Sequence, residues 1–231
     1  MQKRTIYQIF LIIIFAIVWI WAAINPKYPH DWLLENYLVF IFVPLIIITG
    51  IYFRLSNISY TLITIFMILH VIGSHYTYSD VPFGFTLQEW FNSNRNMYDR
   101  FVHFSFGLFL AYPIREVFLR LAKTKGIWGF LLPIEFTLAT STIYEIIEWL
   151  TAIVVEPSAG LAFLGSQGDI WDAQKDMLLA GIGAFFTMSL TTAIHIKYNK
   201  NFLKEVKESL MLSKKDEILG EVKLEKMIKR K

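Results

Sequence analysis

The sequence predicts an all-α fold: a polytopic membrane bundle of about six transmembrane helices with both termini in the cytoplasm. Three observations carry that reading. The 231-residue chain is 55% hydrophobic and only 18% charged, with a mean hydropathy of +0.46, too apolar for the surface of a soluble domain. Six apolar runs approach the roughly 20 residues a helix needs to cross a bilayer. Lys and Arg then alternate between the connecting segments in the way that sets orientation, because positive segments stay in the cytoplasm.

Taken in order, the runs are Ile6 to Ile24, Leu33 to Phe53, Ile58 to Ile72, Phe101 to Phe118, Trp128 to Val154 and Met177 to Ile196. The first follows Lys3 and Arg4 as the core of a signal peptide would. It is long enough to span and ends in "WAAINP" with no small-x-small cleavage pattern, so it reads as a retained helix. The third run is short, and the fifth carries acids. With the N-terminus inside, the inner segments hold 18 Lys and Arg and the outer segments hold 4, namely Lys27, Arg95, Arg100 and Lys175. The net charge of +3 is thus a signal of topology and not of nucleic-acid binding. Residues 1–198 form the transmembrane domain. Residues 199–231 form a charged amphipathic cytoplasmic tail with a break near Gly220, whose Lys excess suits either an anionic leaflet or plain solvation.

Cysteine is absent, which excludes disulfides, thiolate metal sites and thiol nucleophiles. The ionisable residues in or beside the apolar runs gather at the outer end. His70 closes the third span. Asp99 and His103 are four apart at the start of the fourth and share a helical face. Glu145 and Glu148 lie toward the outer end of the fifth, and Asp169, Asp172 and Asp176 open the sixth. The spacing i, i+3, i+7 puts the three aspartates on one face of a helix. Capping of the helix and its dipole accounts for Asp169 and Asp172 but not for Asp176, a turn further in. Asp99 also fits a carboxylate that satisfies a buried His103, and the two glutamates also fit ion pairs with Arg95 or Arg100.

Burying such groups in lipid costs at least about 2.5–3.5 kcal/mol for a central Asp, so they are expected to face one another, a partner or water. The segment "HYTYSDVPFG" with "QEWFNSNRN" forms the longest outer loop, long enough to lie over the cluster, with its Pro and Gly fixing a turn. Trp90, Phe91, Trp149 and Trp171 fit an interfacial aromatic belt. Glu135, just after Pro133, does not fall with the cluster.

Asp, Glu and His without Cys suit Mg²⁺, Mn²⁺ or Zn²⁺. The expected ligands are His70, Glu145, Glu148, Asp169, Asp172 and Asp176. His103, Asp99 and Asp172 are the expected catalytic groups, and His75, Tyr98 and Gln167 the expected substrate contacts. Such a centre would polarise a phosphoryl or acyl oxygen and activate water. The chain contains no HExxH, GxSxG or P-loop pattern.

The strings "HVIGSHYTYSDVPFG", "NMYDRFVHFSFGLFLAYPIRE", "YEIIEWLTA" and "FLGSQGDIWDAQKDMLLA" together resemble the YjdF-like family of bacterial inner-membrane proteins, a domain of unknown function. The resemblance covers nearly all of residues 1–200 and implies a multi-pass protein of the inner (plasma) membrane, without assigning a reaction. A shorter stretch resembles the VanZ-like membrane proteins, with E-x-x-Q on one helix and D-x-x-D-x-x-x-N-x-x-G on the next. Glu145, Asp169 and Asp172 match that pattern; Glu148, Asp176 and Leu179 replace its Gln, Asn and Gly.

The function expected is a membrane protein with an outward-facing acidic and His-containing pocket, a metal-dependent hydrolase or transferase acting on a lipid or envelope precursor drawn from the bilayer. The alternatives are a proton- or cation-coupled transporter and a non-catalytic assembly partner. The sequence sets no oligomeric state.

Overall fold

The computed structural model describes residues 3–155, 160, 163–211 and 221–229. Six helices are long and apolar enough to span a membrane: α1 (Lys3–Ala23), α2 (Pro29–Tyr52), α3 (Asn57–Tyr76), α5 (Tyr98–Arg120), α6 (Trp128–Val154) and α7 (Asp172–Tyr198). Between α3 and α5 lie a 3₁₀ turn (Tyr78–Asp80) and the short α4 (Pro82–Trp90). Beyond α7 come α8 (Phe202–Ser209) and α9 (Glu221–Ile228). No strand occurs among the described residues. The break expected near Gly220 lies outside the described residues.

Five of the six spans begin ahead of their apolar runs because residues outside the run supply the first turn, whereas α6 coincides with its run. Pro29 opens α2, where a missing N–H costs nothing. Ser56 caps α3 by accepting from Ser59 N–H at 3.2 Å. The long loop is not all loop: Pro82 occupies the first turn of α4, and Gly84 lies within that helix, where a Cβ would collide with the side chain of Asn96. Asn96 ties the segment down, donating to the Val81 carbonyl at 3.0 Å and accepting from Tyr98 N–H at 2.9 Å.

Helix α5 is central, packed against α3, α6 and α7, with α1 on the far side of α3. Its crossing with α7 is tight. A Cβ on Gly107 would strike the Ala180 carbonyl, and one on Gly183 would strike the Phe104 carbonyl, so the backbones meet without side chains between them. Ala111, Ala180 and Ala184 are fully buried beside that crossing. Outward faces carry exposed apolar residues such as Ile13, Ile17, Ile41, Ile48, Phe185 and Leu190, a surface that lipid chains and not water would cover. Trp90, Phe91, Trp149 and Trp171 are also exposed, all toward one end of the bundle.

Candidate functional site

That end collects the polar interior. Two arginines organise it. Arg95, in the segment before α5, reaches Asp172 at the start of α7 through a short contact, Asp99 at 3.5 Å, and the carbonyls of Gly165 at 3.0 Å and Ser166 at 3.3 Å. Arg100 reaches Asp169 at 2.7 Å, Asp172 at 3.0 Å and Asp176 at 3.9 Å. Asp172 is therefore the joint between both guanidiniums. Asp169 lies outside the membrane spans, where hydrogen bonds from the Lys175 ammonium and the Trp171 N–H, with Arg100 beside it, hold its carboxyl below the usual carboxylate range.

One layer deeper, His103 Nε2 lies 3.6 Å from Asp99 and 3.5 Å from Glu145, beyond good hydrogen bonds to either. Donor atoms of Asp99, His103 and Asp176 all fall within 4.8 Å of one another. Glu145 Oε1 and Asp176 Oδ1 are buried with no hydrogen-bond partner among the described residues. The cluster thus sets Asp99, Asp172, Asp176, Glu145 and Glu148, all largely buried, against Arg95 and Arg100. Two cations do not balance five acids. The remainder has to be met by a bound cation or by protons retained on the acids.

A cavity of about 140 Å³ continues from this cluster between α2, α3, α5 and α6. Its lining changes with depth. Glu35, His70, Asp99, His103 and Glu148 lie within about two turns of the helix ends, whereas Phe42, Phe66 and Leu110 lie further in. Tyr144 O–H donates to Glu35 at 3.3 Å. His70 Nε2 meets the Glu35 carbonyl oxygen at 3.1 Å, which requires a proton on that nitrogen, and in the neutral ring Nδ1 then accepts from Tyr78 O–H at 2.5 Å. Burial pushes the Tyr78 phenol well above its usual range, so it remains a donor.

A family model described as "Predicted membrane protein (DUF2238)" matches residues 7–197. The chain belongs to that family. It is also 36% identical over 189 residues to the inner membrane protein YjdF of Escherichia coli (strain K12), covering 81% of this chain and 90% of that one. No solved structure matches. With six membrane-length helices and an inner-membrane relative along most of its length, this family member is a multi-pass protein of the inner membrane.

The structure gathers six of the sequence candidates, Asp99, His103, Glu145, Asp169, Asp172 and Asp176, around the two arginines. Glu148 joins them from the cavity side. One geometric detail differs: α7 begins at Asp172, so Asp169 belongs to the preceding turn and not to a helical face shared with Asp172 and Asp176. Among the described residues the two arginines engage aspartates and not the glutamates that the sequence offers as partners. His70 stands on the opposite cavity wall with both nitrogens committed to protein groups. His75 donates to or accepts from nothing in the cluster; its Nδ1 faces the Ala22 carbonyl at 3.1 Å, and its ring lies 4.5 Å from Trp21. Tyr98 O–H is spent on the Leu69 carbonyl, and Gln167 exchanges two hydrogen bonds with the Asn96 backbone. Glu35, Tyr78 and Tyr144 line the cavity in addition to the residues the sequence points to. The available signal for Glu35 was an acid inside the second apolar run, where an ionisable residue is functional by default.

Proposed function

We propose that the cluster is a divalent-metal centre, with Asp99, His103 and Asp176 as ligands and Glu145 beside them, serving a hydrolase or transferase reaction on a lipid or envelope precursor. One observation carries the reading: three convergent donor atoms within 4.8 Å sit next to two buried, unpartnered carboxylate oxygens. A hard divalent ion answers the excess negative charge and takes oxygen and imidazole donors together. Held there, it would supply Lewis acidity and a lowered water pKa. Glu145, at 3.5 Å from His103, is placed to accept a proton, and Arg95 and Arg100 hold the aspartates in position. The cavity supports a lipid as the substrate class, since it is polar at its mouth and apolar at depth.

The same reading places the site on the outer face of the membrane, because the opposite end carries Arg54, Arg115, Arg120, Lys123, Lys125 and Lys197. A transport route lacks comparable support. Glu135, the acid that such a route would use partway across, is exposed on the outer surface of α6, away from the cavity.

Elemental analysis of the purified protein tests the proposal. Wild type is expected to carry stoichiometric divalent metal, with His103→Gln and Asp176→Asn each losing most of it while remaining folded. Equal metal in all three proteins, or none in wild type after loading with Mg²⁺, Mn²⁺ and Zn²⁺, sinks it.

A further inference from the structure

At the opposite end of the bundle a second cavity, of about 710 Å³, lies between the ends of α5, α6 and α7 and is closed on one side by α8. The helix α8 is held in place. Phe202 is buried against the rings of Phe130 and His195, Ser209 accepts from Ile127 N–H at 3.1 Å, and the Ser209 carbonyl accepts from Trp128 Nε1 at 3.0 Å. Gly126, at φ +55°, lets the α5–α6 turn pass directly under this helix, where a Cβ would meet Ser209 and the Glu205 carbonyl.

Arg115 enters this cavity from α5 and is only 8% exposed. Its Nη2 donates to His195 Nε2 at 3.2 Å. The other nitrogen of that ring faces the Thr191 carbonyl at 3.0 Å and so carries the proton. His195 is therefore a neutral acceptor and offers no counter-charge. The guanidinium also lies 4.5 Å from the centre of the Phe130 ring. Among the described residues its buried Nε has no acceptor, and Thr124 Oγ1 on the same wall has no hydrogen-bond partner. Among the described residues no carboxylate forms an ion pair with Arg115. Glu205 and Glu208 stand exposed at the rim, engaged by Asn199 and Lys204. A guanidinium cannot shed its proton, so a buried one without an anion is left uncompensated.

We propose that Arg115, with exposed Lys125 at the cavity rim, binds a phosphate anion here. Arginine matches phosphate geometry with its planar fork. The cavity also lies at the helix ends, the depth of lipid headgroups, on the end that the Lys and Arg distribution assigns to the cytoplasm; basic pockets between spans on that side take anionic headgroups. This site is separate from the acidic cluster and does not depend on the metal reading.

The full-length protein in mild detergent is titrated with phosphatidylglycerol, phosphatidylcholine and inorganic phosphate, following bound lipid by native mass spectrometry and bound phosphate by calorimetry. Wild type is expected to bind phosphatidylglycerol in preference to phosphatidylcholine, and Arg115→Gln to weaken that binding about tenfold or more. Binding of inorganic phosphate with no lipid preference, lost in the same variant, supports the same site with a soluble phosphate compound as its ligand. Failure of wild type to bind phosphatidylglycerol or phosphate, or equal binding by Arg115→Gln, overturns the proposal. If Arg115→Gln does not fold, Lys125→Gln decides, since it changes only an exposed rim residue: binding weakened severalfold supports the site, and unchanged binding overturns it.

Discussion

Asp172 and Asp176 are four residues apart on one helix, yet their replacement by Asn should move stability in opposite directions in metal-free protein. Asp172 joins Arg95 to Arg100. Removing its charge weakens two charge-assisted hydrogen bonds of about 1.5–3 kcal/mol each. The amide oxygen retains a neutral bond to one arginine, and both arginines keep other partners, so the net loss is about 2–3 kcal/mol. For a chain of this size that corresponds to a Tm lower by about 4–12 °C. Asp176 is 2% exposed, with one oxygen unpartnered and Arg100 Nε no nearer than 3.9 Å. Keeping a carboxyl there without metal, whether ionised or holding a proton at neutral pH, costs stability, and Asp176→Asn is expected to raise the Tm of chelator-treated protein by a few degrees, about 1 kcal/mol. Metal should reverse the order. At 100 times its Kd a ligand stabilises wild type by about 2.7 kcal/mol, and the Asn variant would gain little of this. Thermal unfolding in detergent, with and without chelator, reads both effects. If Asp176→Asn destabilises the metal-free protein as much as Asp172→Asn does, Asp176 is structural glue and the assignment of unpaired acids to metal binding is wrong.

Two further outcomes follow from the charges. A reporter fused after Lys231 should be active only in the cytoplasm, and one inserted between Phe91 and Ser93 only outside it; the reverse pattern would put the acidic cluster on the inner face. The depressed Asp169 carboxyl binds its proton less readily in the folded protein than in the unfolded chain, so its contribution to stability is complete above the ordinary value of 3.8 and fades as pH falls toward its lower folded value. The turn ahead of α7 should therefore lose amide-exchange protection in that acidic window in wild type, while Asp169→Asn lacks the effect. Identical pH profiles for the two proteins would show that the Lys175 and Arg100 contacts do not hold the turn.

What could be read from the sequence divides along a physical line. Spans and their number follow from local hydropathy, and they were legible to within a few residues. The differences arise because polar first-turn residues such as Asp172, Tyr98 and Pro29 belong to the helix although they end the apolar run. The meeting of acids from α5, α6 and α7 was legible too, since topology alone carries Asp99, Glu145 and Asp172 to one end. The pairing was not. Arg95 and Arg100 reach aspartates some 70 residues away through the rotation of α7 against α5, and chain spacing carries no information about that rotation. His70 resembled a ligand because a lone intramembrane histidine says nothing of its neighbours, and Glu35 and Tyr78 claim both of its nitrogens. Glu35 is masked in the sequence because a long apolar run tolerates one acid without losing its hydropathy. The helix α4 was hidden by its own punctuation: Pro82 and Gly84 read as turn residues, whereas Pro fits a first helical turn and Gly84 is required by the close approach of Asn96.

The two polar sites depend on a single mechanical element. Helix α5 carries Asp99, Arg100 and His103 near its start and Arg115 near its end; α7 carries Asp172 and Asp176 near its start and His195 near its end. Because the two helices run parallel, with each site built from matching ends of both, the placement of both clusters follows from the register of one against the other. Gly107 and Gly183 fix that register between the sites, where backbone meets backbone and no side chain is available to yield. A slip of one turn, about 5.4 Å, would part Arg100 from Asp172 and Arg115 from His195 together. The small residues at the crossing thus do for the polar clusters what long apolar side chains do elsewhere in the bundle: they turn contact between two helices into fixed positions for charged groups at either face of the membrane.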